Sequence, residues 1–322
     1  MNLTQRIAQL QSLIALAVLM IALSVSTDSF LTPENGMNVL RQISVNLCLS
    51  IGMTLVIVSG GIDLSVGSVL AFSAAVSAWL LKYGVDLAPL GVHVEFTVAG
   101  TIVAGVLVGS LLGLVNGLLV ARLGMPAFIV TLGMLSIARG LTELWTGGHP
   151  ITGLGDDFGW LGTGDLHGVP VPAMIVAGLV AVFTVVTLRT RFGRHLYAVG
   201  GAERAARLSG VNVARVKTWA YICSGALSGM AGLLLTARLD SATPRLGETY
   251  ELDSIAAVVI GGASLSGGRG SVLGAVLGCL IIGVLNNGLA LLDVSPFWQK
   301  VIKGVVILLA VAIDRLSRRQ TA

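Results

Sequence analysis

Residues 51–70 read Ile51-Gly52-Met53-Thr54-Leu55-Val56-Ile57-Val58-Ser59-Gly60-Gly61-Ile62-Asp63-Leu64-Ser65-Val66-Gly67-Ser68-Val69-Leu70, and the architecture turns on this stretch. An apolar run is interrupted for a few residues and then resumes. The runs on either side extend over 39–59 and 66–82, each close to the ~20 residues a helix needs to cross the hydrocarbon core of a bilayer. Gly60-Gly61 lets a helix stop, and Asp63 and Ser65 supply polar groups just before the next run. Two spanning helices separated by a polar break is the reading that follows.

The same pattern continues outward. Windows of span length fall near 12–30, 39–59, 66–82, 97–120, 126–146, 171–188, 218–237, 253–263, 271–292 and 298–314, about ten in all, the eighth of them short. The expected fold class is all-α, a polytopic transmembrane helical bundle. Composition agrees: of 322 residues 55% are hydrophobic and only 11% are charged, against about 25% charged in a soluble domain. That charge cannot clothe a water-facing surface, so lipid is the main solvent. Arg6 before the apolar run Leu13–Leu23 resembles the start of a signal peptide, but Ser24 to Ser29 reads SVSTDS with no A-x-A site, so the run is read as an uncleaved first span.

The basic residues orient the chain. With even-numbered connections and both termini inside, the inside set holds Arg6, Arg122, Arg189, Arg191, Arg194, Arg204, Arg207, Arg215, Lys217, Arg269, Arg315, Arg318 and Arg319. The outside set holds only Arg41, Lys82, Arg238 and Arg245. The long basic inside loop is 189–217, and the longest outside loop runs from Gly147 to Pro170. Neither is long enough for a separate folded unit, so residues 1–322 form a single transmembrane domain.

A weak repeat is visible. Gly60-Gly61-Ile62-Asp63-Leu64-Ser65 followed by Gly67-Ser68-Val69-Leu70 echoes Gly261-Gly262-Ala263-Ser264-Leu265-Ser266 followed by Gly270-Ser271-Val272-Leu273. Duplicated halves with broken helices at matching places are a common transporter plan. Gly105, Gly109, Gly113 and Gly117 lie four apart, as do Gly270, Gly274 and Gly278. Such faces let helix backbones approach closely.

Asp63 is the sharpest candidate within the membrane. An ionised Asp at the bilayer centre costs about 2.5–3.5 kcal/mol on insertion scales, so it lines a pathway or gate, or else caps the next helix with Ser65. Gln42, Asn46, Thr54, Asn116, Thr131, Ser136, Asn286 and Asn287 fall within spans. They suit a path for an uncharged sugar and equally suit hydrogen bonds between helices. Arg139 and Glu143, four apart, can pair on one helix face, and Lys300 and Lys303 can snorkel to the outer interface.

Catalytic chemistry has little support. Cys48, Cys223 and Cys279 stand singly in apolar runs, and His93, His149, His167 and His195 are scattered, so no metal is assigned. Gly262 to Arg269 lacks the Lys of a phosphate loop and lies between apolar spans, and GxSxG and HExxH are missing. Inside the basic loop, Ala202 to Leu208 combines good helix formers with a small apolar face, and Ser209-Gly210 ends it. A short helix on the inner surface suits a partner's groove, or else an anionic lipid surface.

Long runs of this sequence resemble the ribose-type permeases of ABC importers, a family that also serves xylose, galactose, inositol and the furanosyl autoinducer. The matching runs are Ser59–Ser68, Pro126–Met134, Gly193–Val211, Tyr250–Asp253, Gly261–Ser271 and Gly283–Leu289. The resemblance implies a non-enzymatic subunit in the bacterial inner membrane, paired with a second permease copy as homodimer or heterodimer. Two cytoplasmic ATP-binding subunits would hold the ATP and magnesium, with no cofactor in this chain, and a periplasmic sugar-binding protein would complete the complex. It implies coupling to the ATPase through Gly200, Gly201, Ala202, Arg204, Ala205, Ala206, Ser209, Gly210 and Val211; Ala202 stands where the family more often has Asn. A translocation pathway through Asp63, Ser65, Asn46, Asn116, Thr131, Asn286 and Asn287 is the matching expectation. A self-contained sugar carrier driven by an ion gradient is the alternative, and it would want a titratable network in the spans.

Overall fold

The computed structural model describes residues 3–87 and 91–319. The helices in chain order are α1 (Leu3–Ser26), α2 (Pro33–Val58), α3 (Val66–Tyr83), α4 (Val98–Ala121), α5 (Ala127–Thr146), α6 (Asp156–Thr163), α7 (Val171–Arg189), α8 (Arg191–Gly201), α9 (Glu203–Leu208), α10 (Val213–Leu239), α11 (Tyr250–Ile260), α12 (Val272–Leu291) and α13 (Pro296–Arg319). Among the described residues three short antiparallel ribbons sit in the connections.

Among the described residues seven helices are long and apolar enough to cross a membrane: α2, α3, α4, α5, α7, α10 and α12. The chain is a multi-pass helical membrane protein. The other three expected spans fall on α1, whose apolar part is Ser12–Ser26, on α11, with only 11 residues, and on α13. Of the chain ends assigned to the inside, residues 1–2 and 320–322 lie outside the described residues.

The two glycine-rich connections, 59–65 and 261–271, are real helix breaks with one backbone solution. α2 ends at Ser59; Gly60 turns left-handed (φ 86°), its N–H reaches Ile57 O at 2.9 Å, and Gly61 N–H reaches Val56 O at 3.0 Å. α11 ends at Gly261; Gly262 has φ 88°, its N–H reaches Val259 O at 2.9 Å, and Ala263 N–H reaches Val258 O at 3.1 Å. Both are Schellman ends, which satisfy carbonyls that the helix leaves free.

α2 and α10 form the buried hub. Every residue of α2 from Ile43 to Val58 is buried, and α10 packs against α2, α3, α4 and α6. α4 shows the opposite extreme. Its buried residues are Thr101, Gly105, Gly109, Gly113, Asn116 and Gly117, while Val103, Leu107, Leu111 and Val115 point outward every fourth residue. The glycines press directly on α10: a Cβ on Gly109 would strike Gly225 O, and one on Gly113 would strike Tyr221 O. Lipid offers apolar surface equal to any side chain, so this backbone-on-backbone packing is what draws the two helices together.

The connections sort onto two faces. On one, Ile151–Thr152 pairs with Ser241–Ala242, and the Lys82 ammonium reaches Thr152 O. On the other, the break at 59–65, the α4–α5 turn, α8 with α9, and the loop before α12 come together. This second face is the basic one.

Candidate functional site

The first break is held by a buried polar knot. Asp63 Oδ1 accepts the Ser65 backbone N–H at 3.0 Å and the Ser65 hydroxyl at 2.6 Å, and its Oδ2 accepts the Ser224 hydroxyl of α10 at 3.0 Å. Ser65 Oγ in turn accepts Asn116 Nδ2 of α4 at 2.9 Å. The Thr131 hydroxyl of α5 is shared between Ala127 O of its own helix at 2.9 Å and Ile62 O of the break at 3.2 Å. Asp63, Ser65, Asn116, Thr131 and Ser224 are all buried. Three helices, α4, α5 and α10, therefore meet on one non-helical segment, where its freed backbone groups find protein partners in place of water. Ser65 stands at the start of α3 without a side-chain cap bond, so the carboxylate braces the turn before the helix.

The remaining pathway candidates lie apart from this knot. Asn46 and Asn286 are buried, each with a side-chain oxygen that accepts no hydrogen bond among the described residues. Asn287 exchanges two hydrogen bonds with Asn35, 2.7 and 3.0 Å long, tying α12 to α2. Arg139 spans to the far loop: its Nη1 donates to Pro244 O at 2.8 Å and Leu246 O at 2.9 Å, so its hydrogen bonds go to these carbonyls and not to Glu143. Lys303 meets buried Asp253 at 2.9 Å, joining α13 to α11 instead of reaching for the interface.

On the basic face, α9 forms over Glu203–Leu208 as the composition predicts, with Ser209 at its end and Gly210 at φ 83°. The helix is oriented by Ala206, which turns inward onto a cluster with Leu196, Val199, Val213 and Val216. Gly201, Ala202, Arg204, Ala205, Ser209 and Gly210 are exposed, while Gly200 and Val211 are half-buried. Leu208, at 83% exposure, is the largest apolar group on this helix, and sequence reasoning passed over it. Glu203 accepts Lys217 at 2.7 Å and Arg207 at 2.9 Å. The hydrogen bond from Lys217 is the main reason its carboxyl sits below the ordinary range. Behind this pair lies a cavity of about 290 Å³, bounded by the first break, the α4–α5 turn, α9 and Tyr221.

α8 was not expected from the sequence, although Phe192, Leu196 and Val199 repeat at helical spacing, with Leu196 and Val199 buried. Ser224, Asn35 and the Asp253–Lys303 pair were also missed. Each depends on a partner far along the chain, which local pattern does not record. Among the described residues no group of His, Cys, Asp and Glu is arranged to hold a metal ion.

Residues 35–311 match the family described as the branched-chain amino acid transport system / permease component. The chain is 48% identical over 304 residues to the ribose import permease protein RbsC of Bacillus subtilis (strain 168), covering 94% of this chain and 91% of that one. It is 46% identical over 308 residues to the ribose import permease protein RbsC of Escherichia coli (strain K12), covering 94% and 92%. To the D-allose transport system permease protein AlsC of the same strain it is 39% identical over 293 residues, covering 91% and 87%. No solved structure matches.

Proposed function

We propose a function from one premise: the chain belongs to the family of branched-chain amino acid transport system permease components. It is the membrane-spanning permease subunit of an ATP-binding-cassette importer, a transport subunit and not an enzyme. Its cargo is a small sugar, a ribose-like pentose or a related monosaccharide. The observation that carries this reading is the near full-length likeness to ribose and allose permeases.

The subunit lies in the bacterial inner membrane, crosses it about ten times, and keeps both termini in the cytoplasm. The strong excess of Lys and Arg on the face bearing α8 and α9 supports that orientation. A second permease copy, a periplasmic sugar-binding protein and two cytoplasmic ATPase subunits complete the importer, and ATP with magnesium belongs to the ATPases. The coupling segment is Gly200 to Val211. Ala206 anchors α9 to the bundle, and Arg204, Ala205, Leu208 and Gly210 present it to the ATPase.

Transport proceeds by alternating access, with the helices around the two breaks re-orienting as the ATPases close and open. Polar groups at Asp63, Ser65, Asn46, Asn116, Thr131, Asn286 and Asn287 serve the pathway. Asp63, Ser65, Asn116 and Thr131 act by holding the break at its edge, since all four are buried and each makes a hydrogen bond there. The test is Leu208→Asp. Loss of a central apolar contact weakens ATPase capture by about 30-fold and abolishes ribose uptake, while insertion and thermal unfolding in detergent stay as in wild type. ATPase capture at the wild-type level would remove α9 from the docking surface.

A further inference from the structure

The end of α8 touches both helix breaks at once. A Cβ on Gly200 would overlap Val58 O, the last carbonyl of α2, and would lie 2.6 Å from Gly268 N. One on Gly267 would lie 2.7 Å from Gly200 O and 3.0 Å from Gly60 Cα, and one on Gly268 would lie 2.6 Å from Gly201 Cα. Gly268 N–H donates to Val58 O at 2.9 Å. This satisfies a carbonyl at the end of α2 that has no partner within its own helix. Tyr197, three residues before Gly200, donates its hydroxyl to Gly270 O at 2.8 Å.

Three segments far apart in sequence therefore share one junction with backbone on backbone. Side chains absorb a displacement by changing rotamer. Closely packed main chain has no such slack and passes the displacement on. Only Ala202 separates α8 from α9, and the α8 core residues Leu196 and Val199 pack in one cluster with Leu55 and Val58. A push on α9 is delivered to Gly200 with little give on the way.

We propose that this glycine junction is the positioning element that carries movement of the α8–α9 loop to both helix breaks together, with Tyr197, Gly200 and Gly267 holding it in register. The proposal rests on the reading of α9 as the ATPase-docking segment. It adds the route: the two breaks answer to one input because the second break hydrogen-bonds the helix that leads into the first. Tyr197, Gly200 and Gly267 are positioning residues, acting through the breaks and not on cargo.

The experiment uses the complete importer in proteoliposomes, with ribose as the probe sugar, and measures ribose imported per ATP hydrolysed. Gly200→Ala forces a methyl into the junction, and Tyr197→Phe removes one hydrogen bond without adding an atom to clash. Gly178→Ala on α7, where a Cβ meets nothing within 4 Å, is the control. ATPase capture and ATP hydrolysis remain at the wild-type level in Tyr197→Phe and Gly178→Ala, which lie outside the coupling segment. Ribose per ATP drops about threefold in Tyr197→Phe, the scale of one net hydrogen bond. It drops about tenfold or more in Gly200→Ala, the scale of a core overpacked by one methyl. Should Gly200→Ala fail to fold, Tyr197→Phe carries the test alone. A wild-type ratio in Tyr197→Phe, or uptake and hydrolysis falling in proportion, overturns the junction. The underlying docking reading fails separately, through wild-type ATPase capture by Leu208→Asp.

Discussion

At residues 59–65 the chain leaves α2 and reaches α3 past a carboxylate; at residues 261–271 it leaves α11 and reaches α12 without one. Both begin with the same Schellman end and a left-handed glycine. Beyond it they differ. Asp63 gathers hydrogen bonds from Ser65 and Ser224, and Ser65 extends the network to Asn116, so α4 and α10 are both pinned to one buried turn. In the second break Ser264 and Ser266 share a 3.0 Å hydrogen bond, Ser266 and Arg269 are exposed, and the close contacts run through glycine backbone to α8. Side-chain hydrogen bonds to two other helices fix the first break to the bundle, whereas glycine main-chain contacts and the Tyr197 hydroxyl tie the second to the basic face. A duplicated motif has thus been given one anchored copy and one copy that depends on its neighbours.

The contrast breaks most readily at Asp63. Asp63→Ala leaves the Ser224 hydroxyl and the Ser65 N–H buried without their acceptor and costs about 3 kcal/mol, since each orphaned group costs ~1–3 kcal/mol. Thermal unfolding in detergent reads this directly, and an unchanged midpoint would show that the first break needs no anchor. Ser264→Ala probes the second break in the same way. It removes one partly buried hydrogen bond and shifts stability by about 1 kcal/mol or less in the same assay. An equal loss at both sites would erase the distinction.

The smallest effect lies at Glu203, beside the cavity under the first break. Its carboxyl is held low chiefly by Lys217, so the ionised form stabilises the fold. That contribution is complete above the ordinary carboxylate range and is lost as pH falls through the lowered folded-state value. Glu203→Gln therefore lowers the unfolding midpoint at neutral pH by an amount matching at most about 1 kcal/mol for a half-exposed pair. The difference from wild type closes as the medium becomes acidic. A gap that widens on acidification contradicts this sign.

Much of the plan could be read from residue pattern because its causes are local. Gly60-Gly61 ends a helix by its own backbone freedom, the four-residue glycine spacing of α4 makes a face, and Ser209-Gly210 closes α9. The repeat was legible, but its register shifts by one: pairing by sequence matches Gly60 with Gly261, while the left-handed residues are Gly60 and Gly262. What pattern does not contain is the distant partner. Asn116 finds Ser65 across 51 residues and Ser224 finds Asp63 across 161. Asn287 finds Asn35 across 252. Arg139 had an acidic neighbour one turn away, yet its guanidinium went to carbonyls over a hundred residues on, whose fixed geometry it could bridge. Of the pathway candidates, Asp63, Ser65, Asn116 and Thr131 come together at the first break, while Asn46, Asn286 and Asn287 lie apart from it, because folding distributed their partners.

The seam of α4 against α10 has a consequence for redesign. Gly109 and Gly225 each sit where a methyl would strike the other helix's carbonyl, so neither position offers a smaller residue to retreat to or room for a larger one. A protein engineer re-tuning this importer toward another cargo inherits that pair of helices as an immovable chassis. The room for variation lies on surfaces such as α5, where Gly133 and Gly140 face open space.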